Sequence, residues 1–334
     1  MGRMIHNLSE RIRKGEPVPA PVHVALWLAS FGQRFGMWLR LRGAAKAVPA
    51  HVVSFGNITV GGVGKTPAVI ARAARECDAG KRVAVLTRGY GASPARTPLI
   101  LAPGMADATT AARFGDEAAL IARRVPTAWI VRAADRVAGA QAAFEAGCTL
   151  LIMDDGFQAV ALARNENILL VDAANPFGNG YLVPRGILRE PLQAMRRATE
   201  IILTRCDQAG AALDALEKTI RYHAPHTPIH YTQHKPVGLW RLCDNGDAPL
   251  SLLRETPVRV VCAIGNPDAF LTTLRDLGAH IVETHCLPDH GAIPQDMLAS
   301  DVPVIMTEKD AMRLPETPRP DIYALAITLE TYTR

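Results

Sequence analysis

Short apolar runs that end in glycine alternate along this chain with stretches of helical periodicity, the pattern of an α/β protein. Val52 and Val53 open a buried strand, and further strands are predicted over 82–87, from Thr149 to Met153, and over 167–172 and 200–204. Later runs predict strands over 258–264, 302–306 and 322–327. Helices are expected from Thr66, from the alanine-rich segment after Gly115, and over 268–277. Near the start, the apolar stretch 22–32 is too short to span a bilayer. Continued as a helix, it places Trp27, Phe31, Phe35 and Trp38 on one face, with Arg34, Arg40 and Arg42 following the apolar run. Rings at headgroup depth and cations meeting lipid phosphates make this an expected interfacial helix.

Between 225 and 250 the texture changes. His226, His230 and His234 recur at spacings of four, but Pro225, Pro228 and Pro236 exclude one continuous helix that would align them as metal ligands. Apart from a short alternating run over 237–242, the stretch reads as a solvated linker and marks the expected boundary between domains at 46–225 and 226–334, the latter including linker strands, after an N-terminal helix region at 1–45.

The length of 334 residues accommodates two cores, and 49% apolar residues fit a folded protein. Six cysteines without a C-x-x-C pair argue against a zinc site or a disulfide frame, and point to a reduced cytosolic compartment. The net charge of +5 is informative through its location. Residues 1–50 hold eight Lys/Arg (Arg3, Arg11, Arg13, Lys14, Arg34, Arg40, Arg42, Lys46) against Glu10 and Glu16, so the remainder carries a net −1. That distribution suits an anionic membrane surface better than nucleic acid.

The candidate chemistry centres on the turn after the first strand. Gly61, Gly62 and Gly64 let the backbone aim its N–H groups at an anion, and the helix that follows adds its positive end. Thr59, Val60, Gly61, Gly62, Val63, Gly64, Lys65 and Thr66 therefore read as a phosphate-binding loop. Lys65 reaches the β- and γ-phosphates of ATP, Thr66 ligates the bridging Mg2+, and Pro67 fits the first helical turn. Thr59 stands where the usual pattern has its first glycine. The strand from Thr149 closes on Asp154 and Asp155, where a carboxylate holds magnesium or its water shell. Other candidates stand at strand ends: Arg88-Gly89-Tyr90-Gly91, Asp116 and Glu117 at a helix start, Arg189-Glu190 in a long loop, Pro288-Asp289-His290-Gly291, and Thr307-Glu308-Lys309-Asp310.

The ordered set resembles one family, the tetraacyldisaccharide 4′-kinases of Gram-negative bacteria. The motifs are GNITVGGVGKTP from Gly56, TRGYG from Thr87, GDE from Gly115, DDGFQ from Asp154, FGNG from Phe177, LRE from Leu188, PDH from Pro288 and TEKDA from Thr307. They run through nearly the whole chain. The family shares the loop without the first glycine, while Ile187 stands where its members carry proline before Leu188.

The resemblance implies an α/β fold: a P-loop NTPase-like parallel-sheet domain, a second, smaller α/β domain and an N-terminal amphipathic membrane-associated helix. It implies a lipid kinase that moves the γ-phosphate of ATP to the 4′-hydroxyl of tetraacyldisaccharide 1-phosphate in lipid A biosynthesis, giving lipid IVA. Carried over by motif, Lys65 and Thr66 hold phosphates and magnesium, with Asp154, Asp155 and Glu190 around the metal. Asp116 is the base, assisted by His290 from the second domain. Arg88, Arg136 and Arg189 are candidates for the substrate phosphate or transition-state charge. The expected partners are this lipid and the inner-membrane surface, reached peripherally from the cytoplasmic face, with no nucleic acid and no obligate protein partner. A nucleotide-switch protein, either a partitioning-type ATPase or a GTPase metallochaperone, is the alternative. It calls for a lysine near Val60 or an Asn-Lys-x-Asp motif, and the sequence has neither.

Overall fold

The computed structural model describes residues 11, 19–94, 96, 98–314 and 319–334. Arg3, Glu10, Arg13, Lys14 and Glu16 of the basic segment lie outside the described residues, as does the side chain of Arg40. The chain forms two compact units, each discontinuous in sequence. One gathers residues up to Lys65 with Ile152–Gln233 and Thr331–Arg334, and the other Thr66–Leu151 with His234–Glu330.

Helix α1 (Ala20–Leu41) and strand β1 (His51–Gly56) come first. They are followed by α2 (Lys65–Asp78), β2 (Val83–Thr87), β3 (Leu99–Leu101), α3 (Thr110–Phe114) and α4 (Asp116–Arg124). Strand β4 (Trp129–Arg132), α5 (Arg136–Glu145) and β5 (Leu150–Met153) complete that run. The chain continues through β6 (Glu166–Asp172), β7 (Glu200–Thr204), α6 (Ala212–His223) and β8 (Ile229–Arg241). Next are β9 (Asp247–Ala248), α7 (Leu252–Glu255), β10 (Val258–Cys262), α8 (Pro267–Asp276) and β11 (Ile281–Cys286). The last are α9 (Gln295–Leu298), β12 (Val304–Thr307), α10 (Glu308–Ala311) and β13 (Ile322–Thr331).

In the first unit, β8, β7, β6 and β1 pair in parallel, in that order. Residues 52–56 and 167–172 are buried throughout, as strands covered on both faces must be. Leu213, Leu216 and Ile220 form the apolar stripe of α6 and pack with Ile58, Phe157, Leu169, Ile201 and Leu203.

In the second unit, β4 pairs in parallel with β2 and antiparallel with β3, while β11, β10, β12 and β13 form a parallel set. The pleat sorts this second set into two cores: Val258, Val260, Cys262 and Ile305 enter one, and Val261, Val304 and Met306 the other. Side-chain caps fix the starts of α5 and α8. Asp135 accepts from the N–H groups of Val137 and Ala138 at α5, and Asn266 caps α8 with Pro267 in its first turn.

The segment expected to be a solvated linker is instead strand β8. Its prolines exclude a helix, but their fixed φ is compatible with extended backbone, and the chain crosses from one unit to the other inside this strand. His230 reaches Glu200 at 3.5 Å on the surface. Helix α1 covers the apolar stretch near the start, and Trp27, Phe31, Phe35 and Trp38 remain 45–61% exposed on it. Arg42 stacks over the Trp38 ring at 3.6 Å. No helix among the described residues is long and apolar enough to cross a membrane.

Candidate active site

Two side-chain clusters, one in each unit, hold most of the expected site residues. The first begins where β1 runs into the glycine-rich loop. Asn57, fully buried, donates to the Thr59 carbonyl at 2.8 Å and to its hydroxyl at 3.1 Å, and accepts from Lys65 Nζ at 3.1 Å. Gly61 and Gly64 take φ of +110° and +81°, which favour a residue without Cβ. Side chains at the end of β7 brace the loop from behind: Thr204 donates to the Val63 carbonyl at 2.9 Å and Arg205 to the Gly62 carbonyl at 3.0 Å. Arg205 is itself oriented by buried Asp172. Val60 N–H is held by the Ile187 carbonyl at 2.7 Å.

Lys65 Nζ also meets Asp155 Oδ1 at 3.2 Å, and Arg189 Nη1 contacts both Asp155 oxygens at 3.0 and 2.9 Å. Burial pushes the Asp155 carboxyl up, but Lys65 and Arg189 outweigh it and hold the group well below the usual carboxylate range. Asp155 therefore serves here as the shared counter-charge of two cations. Glu190, at 1% exposure, accepts from Gln158 at 2.8 Å and from Arg197 at 2.9 Å. Asp154, at 3% exposure, follows directly on β5.

The second cluster is built on α4. Gly115 adopts φ +98°, where an added Cβ would come within 2.9 Å of the Tyr90 carbonyl, and this tight turn starts the helix at Asp116. Asp116, at 4% exposure, accepts the Glu117 N–H at 2.8 Å through Oδ1. Its Oδ2 lies 2.9 Å from His290 Nδ1 and 3.7 Å from Arg313 Nε. His290 sits in the left-handed region at φ +58°, in a turn closed by Gly291 N–H on the Pro288 carbonyl at 2.7 Å. Its own N–H donates to Ala263 at 3.1 Å, directly after β10. The Tyr90 ring packs 4.6 Å from the imidazole.

Lys309 on α10 completes the group, donating to Glu117 at 3.0 Å and meeting His290 Nε2 at 3.1 Å. Thr307 caps α10, and fully buried Asp310 accepts from the Ala263 N–H at 3.2 Å and pairs with Arg313. Burial raises the Asp116 carboxyl, yet His290, Lys309 and the Glu117 N–H together bring it below its ordinary value, so it is anionic at neutral pH. Burial lowers the Lys309 ammonium, but Glu117, Asp116 and Asp289 overcome this and raise it.

Of the three arginines, Arg189 joins the loop cluster. Arg136 is 7% exposed and donates to the Ala133 carbonyl at 3.0 Å at the start of α5, whereas Arg88 is exposed after β2. Asn57 and Gln158 contact the expected site residues although their motifs alone gave them no role, and the candidates Glu117 and Lys309 join the second cluster by pairing with each other.

A model of the family described as tetraacyldisaccharide-1-P 4′-kinase matches residues 22–334. The chain is 41% identical over 286 residues to a tetraacyldisaccharide 4′-kinase of Anaeromyxobacter sp. (strain K), covering 82% of this chain and 75% of the relative. It is 38% identical over 299 residues to that of Gluconacetobacter diazotrophicus, covering 87% and 84%. The fold matches a crystal structure of LpxK from Aquifex aeolicus in complex with ATP, with a TM-score of 0.71 and 27% identity over 93% of this chain and 95% of that one. From the family match over nearly its whole length, and from relatives this similar, the chain belongs to the tetraacyldisaccharide-1-P 4′-kinase family.

Proposed function

We propose that this kinase transfers the γ-phosphate of ATP to the 4′-hydroxyl of tetraacyldisaccharide 1-phosphate, with Asp116 as the general base. The observation that carries this reading is the buried Asp116 carboxylate, kept ionised and oriented at 2.9 Å by His290. A sugar hydroxyl is a poor nucleophile until a base accepts its proton as the bond to phosphorus forms. Lys65 and the loop from Thr59 to Thr66 take the ATP phosphates, and the Asn57 and Asp155 contacts preset the lysine before it meets them. Arg189 and exposed Arg88 are cations available to substrate phosphate, while buried Arg136 anchors the chain between β4 and α5.

Hard oxygen donors fit Mg2+, which when bound draws charge from the phosphate oxygens. Buried Asp154 is the carboxylate suited to hold it, and Thr66 keeps the role its place after Lys65 gives it. Asp155 and Glu190, each already paired with arginine, position the surrounding cations.

The exposed aromatics of α1, with Arg34 and Arg42, fit a lipid surface, and the kinase works peripherally at the cytoplasmic face of the inner membrane. The test is to incubate the protein with Mg-ATP and tetraacyldisaccharide 1-phosphate in detergent micelles and read the product by mass spectrometry and 31P NMR. One added phosphoryl group at the 4′ oxygen is expected; ATP binding without any phosphorylated lipid would overturn the reading.

A further inference from the structure

We propose that Lys309 is a positioning residue that locks His290 as the neutral tautomer with its proton on Nδ1, so that the acceptor's proton is taken and kept by Asp116. This rests on the assignment of Asp116 as the base and adds how its partner is controlled.

An ammonium has only hydrogens to offer. Lys309 Nζ lies 3.1 Å from His290 Nε2, so that nitrogen must present its lone pair, and the ring proton resides on Nδ1. There it donates to Asp116 Oδ2 at 2.9 Å. Glu117, at 3.0 Å, orients Lys309 from the same helix that carries Asp116. The other groups facing this chain of contacts are Asp289, 3.9 Å from both His290 Nε2 and Lys309 Nζ, Arg313, 3.7 Å from Asp116, and the Tyr90 ring.

The consequence concerns where the proton goes. As the 4′ oxygen bonds to the γ-phosphorus and the bond from that phosphorus to the ADP oxygen breaks, the hydroxyl proton passes to Asp116 and ADP leaves with the electron pair. Protonating Nε2 instead would set an imidazolium against the Lys309 ammonium. His290 thus orients and stabilises the carboxylate without shuttling its proton. Lys309 joins the site although it is 19 residues from His290 and 192 from Glu117 in sequence.

The experiment is 15N NMR of the full-length protein with labelled histidine, using His290→Gln to assign the His290 signals. In wild type the ring should stay neutral with its proton on Nδ1 through neutral pH. In Lys309→Met, with the donor to Nε2 gone, the form protonated on Nδ1 alone should no longer be the single form seen at neutral pH. Turnover should then fall roughly tenfold with the KM for ATP nearly constant, against the ~100-fold or greater loss that removing the base brings. Lys309→Arg should keep the wild-type tautomer. A wild-type ring protonated on Nε2, or on both nitrogens, overturns the proposal without any variant, as do His290 ring signals in Lys309→Met identical to those of wild type. The NMR result does not depend on activity, so failure of lipid phosphorylation with the expected tautomer would strike the functional assignment alone.

Discussion

Lys65 Nζ stands 3.2 Å from Asp155 Oδ1, and Arg189 closes on the same carboxylate from the other oxygen at 2.9 Å. One anion thus holds two cations that would otherwise repel each other. Asp155→Asn should lower turnover at least tenfold by loosening Lys65. It should cost only about 1 kcal/mol of stability, because the Asp155 side chain is 40% exposed. Steady-state kinetics with a denaturant titration check both values.

Asp116 and Glu117 are adjacent acids with different partners, and their substitutions should separate. Asp116→Asn should reduce turnover by about 100-fold or more with little change in the KM for ATP. Glu117→Gln acts only through Lys309 and should cost roughly tenfold. Because the folded state lowers the Asp116 carboxyl, the group stays charged down to and below its ordinary value of 3.8. Activity should therefore persist into mildly acid buffer, and the stability from this ionisation is present above the unfolded value and lost as pH falls through the lower folded one.

Glu76 gives the clearest pH signature in stability. Its side chain is 8% exposed, and Lys81 at 2.6 Å, against the opposing effect of burial and helped by Arg75 and Arg72, holds it near pKa 2 instead of 4.5. Since the folded value is the lower one, its contribution is complete above pH 4.5 and is lost as pH falls toward about 2. Wild type should exceed Glu76→Gln in stability at pH 7, and the gap should close across that window in denaturant titrations at stepped pH.

The elements were legible where local chemistry dictates them: β1 ending in glycines, the acids after β5, and the aromatic face of α1 all follow from periodicity and turn residues. Strand β8 was obscured by Pro236 within it and by Pro225 and Pro228 just before it, since proline removes a donor without forbidding extended backbone. In the site, the sequence marked the charges but not their pairing. Asp155 pairs with Lys65 and Arg189, and Lys309 reaches His290 and Glu117 only through the packing of α10 on α4. Such pairings depend on tertiary contacts, so no local window of residues contains them.

The aromatic face of α1 should govern membrane attachment. Phe35, 61% exposed, and Phe31, 47% exposed, would each lose about 2 kcal/mol of burial in lipid when replaced by Asp. Cosedimentation with vesicles of phosphatidylethanolamine and phosphatidylglycerol should fall more than tenfold for the double variant, while transfer to substrate in micelles is reduced far less. Equal partitioning of variant and wild type would remove α1 from the membrane.

The most direct measurement is single-turnover transfer of labelled γ-phosphate from Mg-ATP to tetraacyldisaccharide 1-phosphate by wild type, Asp116→Ala and His290→Ala, with ATP binding measured in parallel. The expected result is rapid labelling of the lipid by wild type and its collapse in both variants at unchanged ATP affinity. Transfer by Asp116→Ala at the wild-type rate would contradict the assignment of Asp116 as the base.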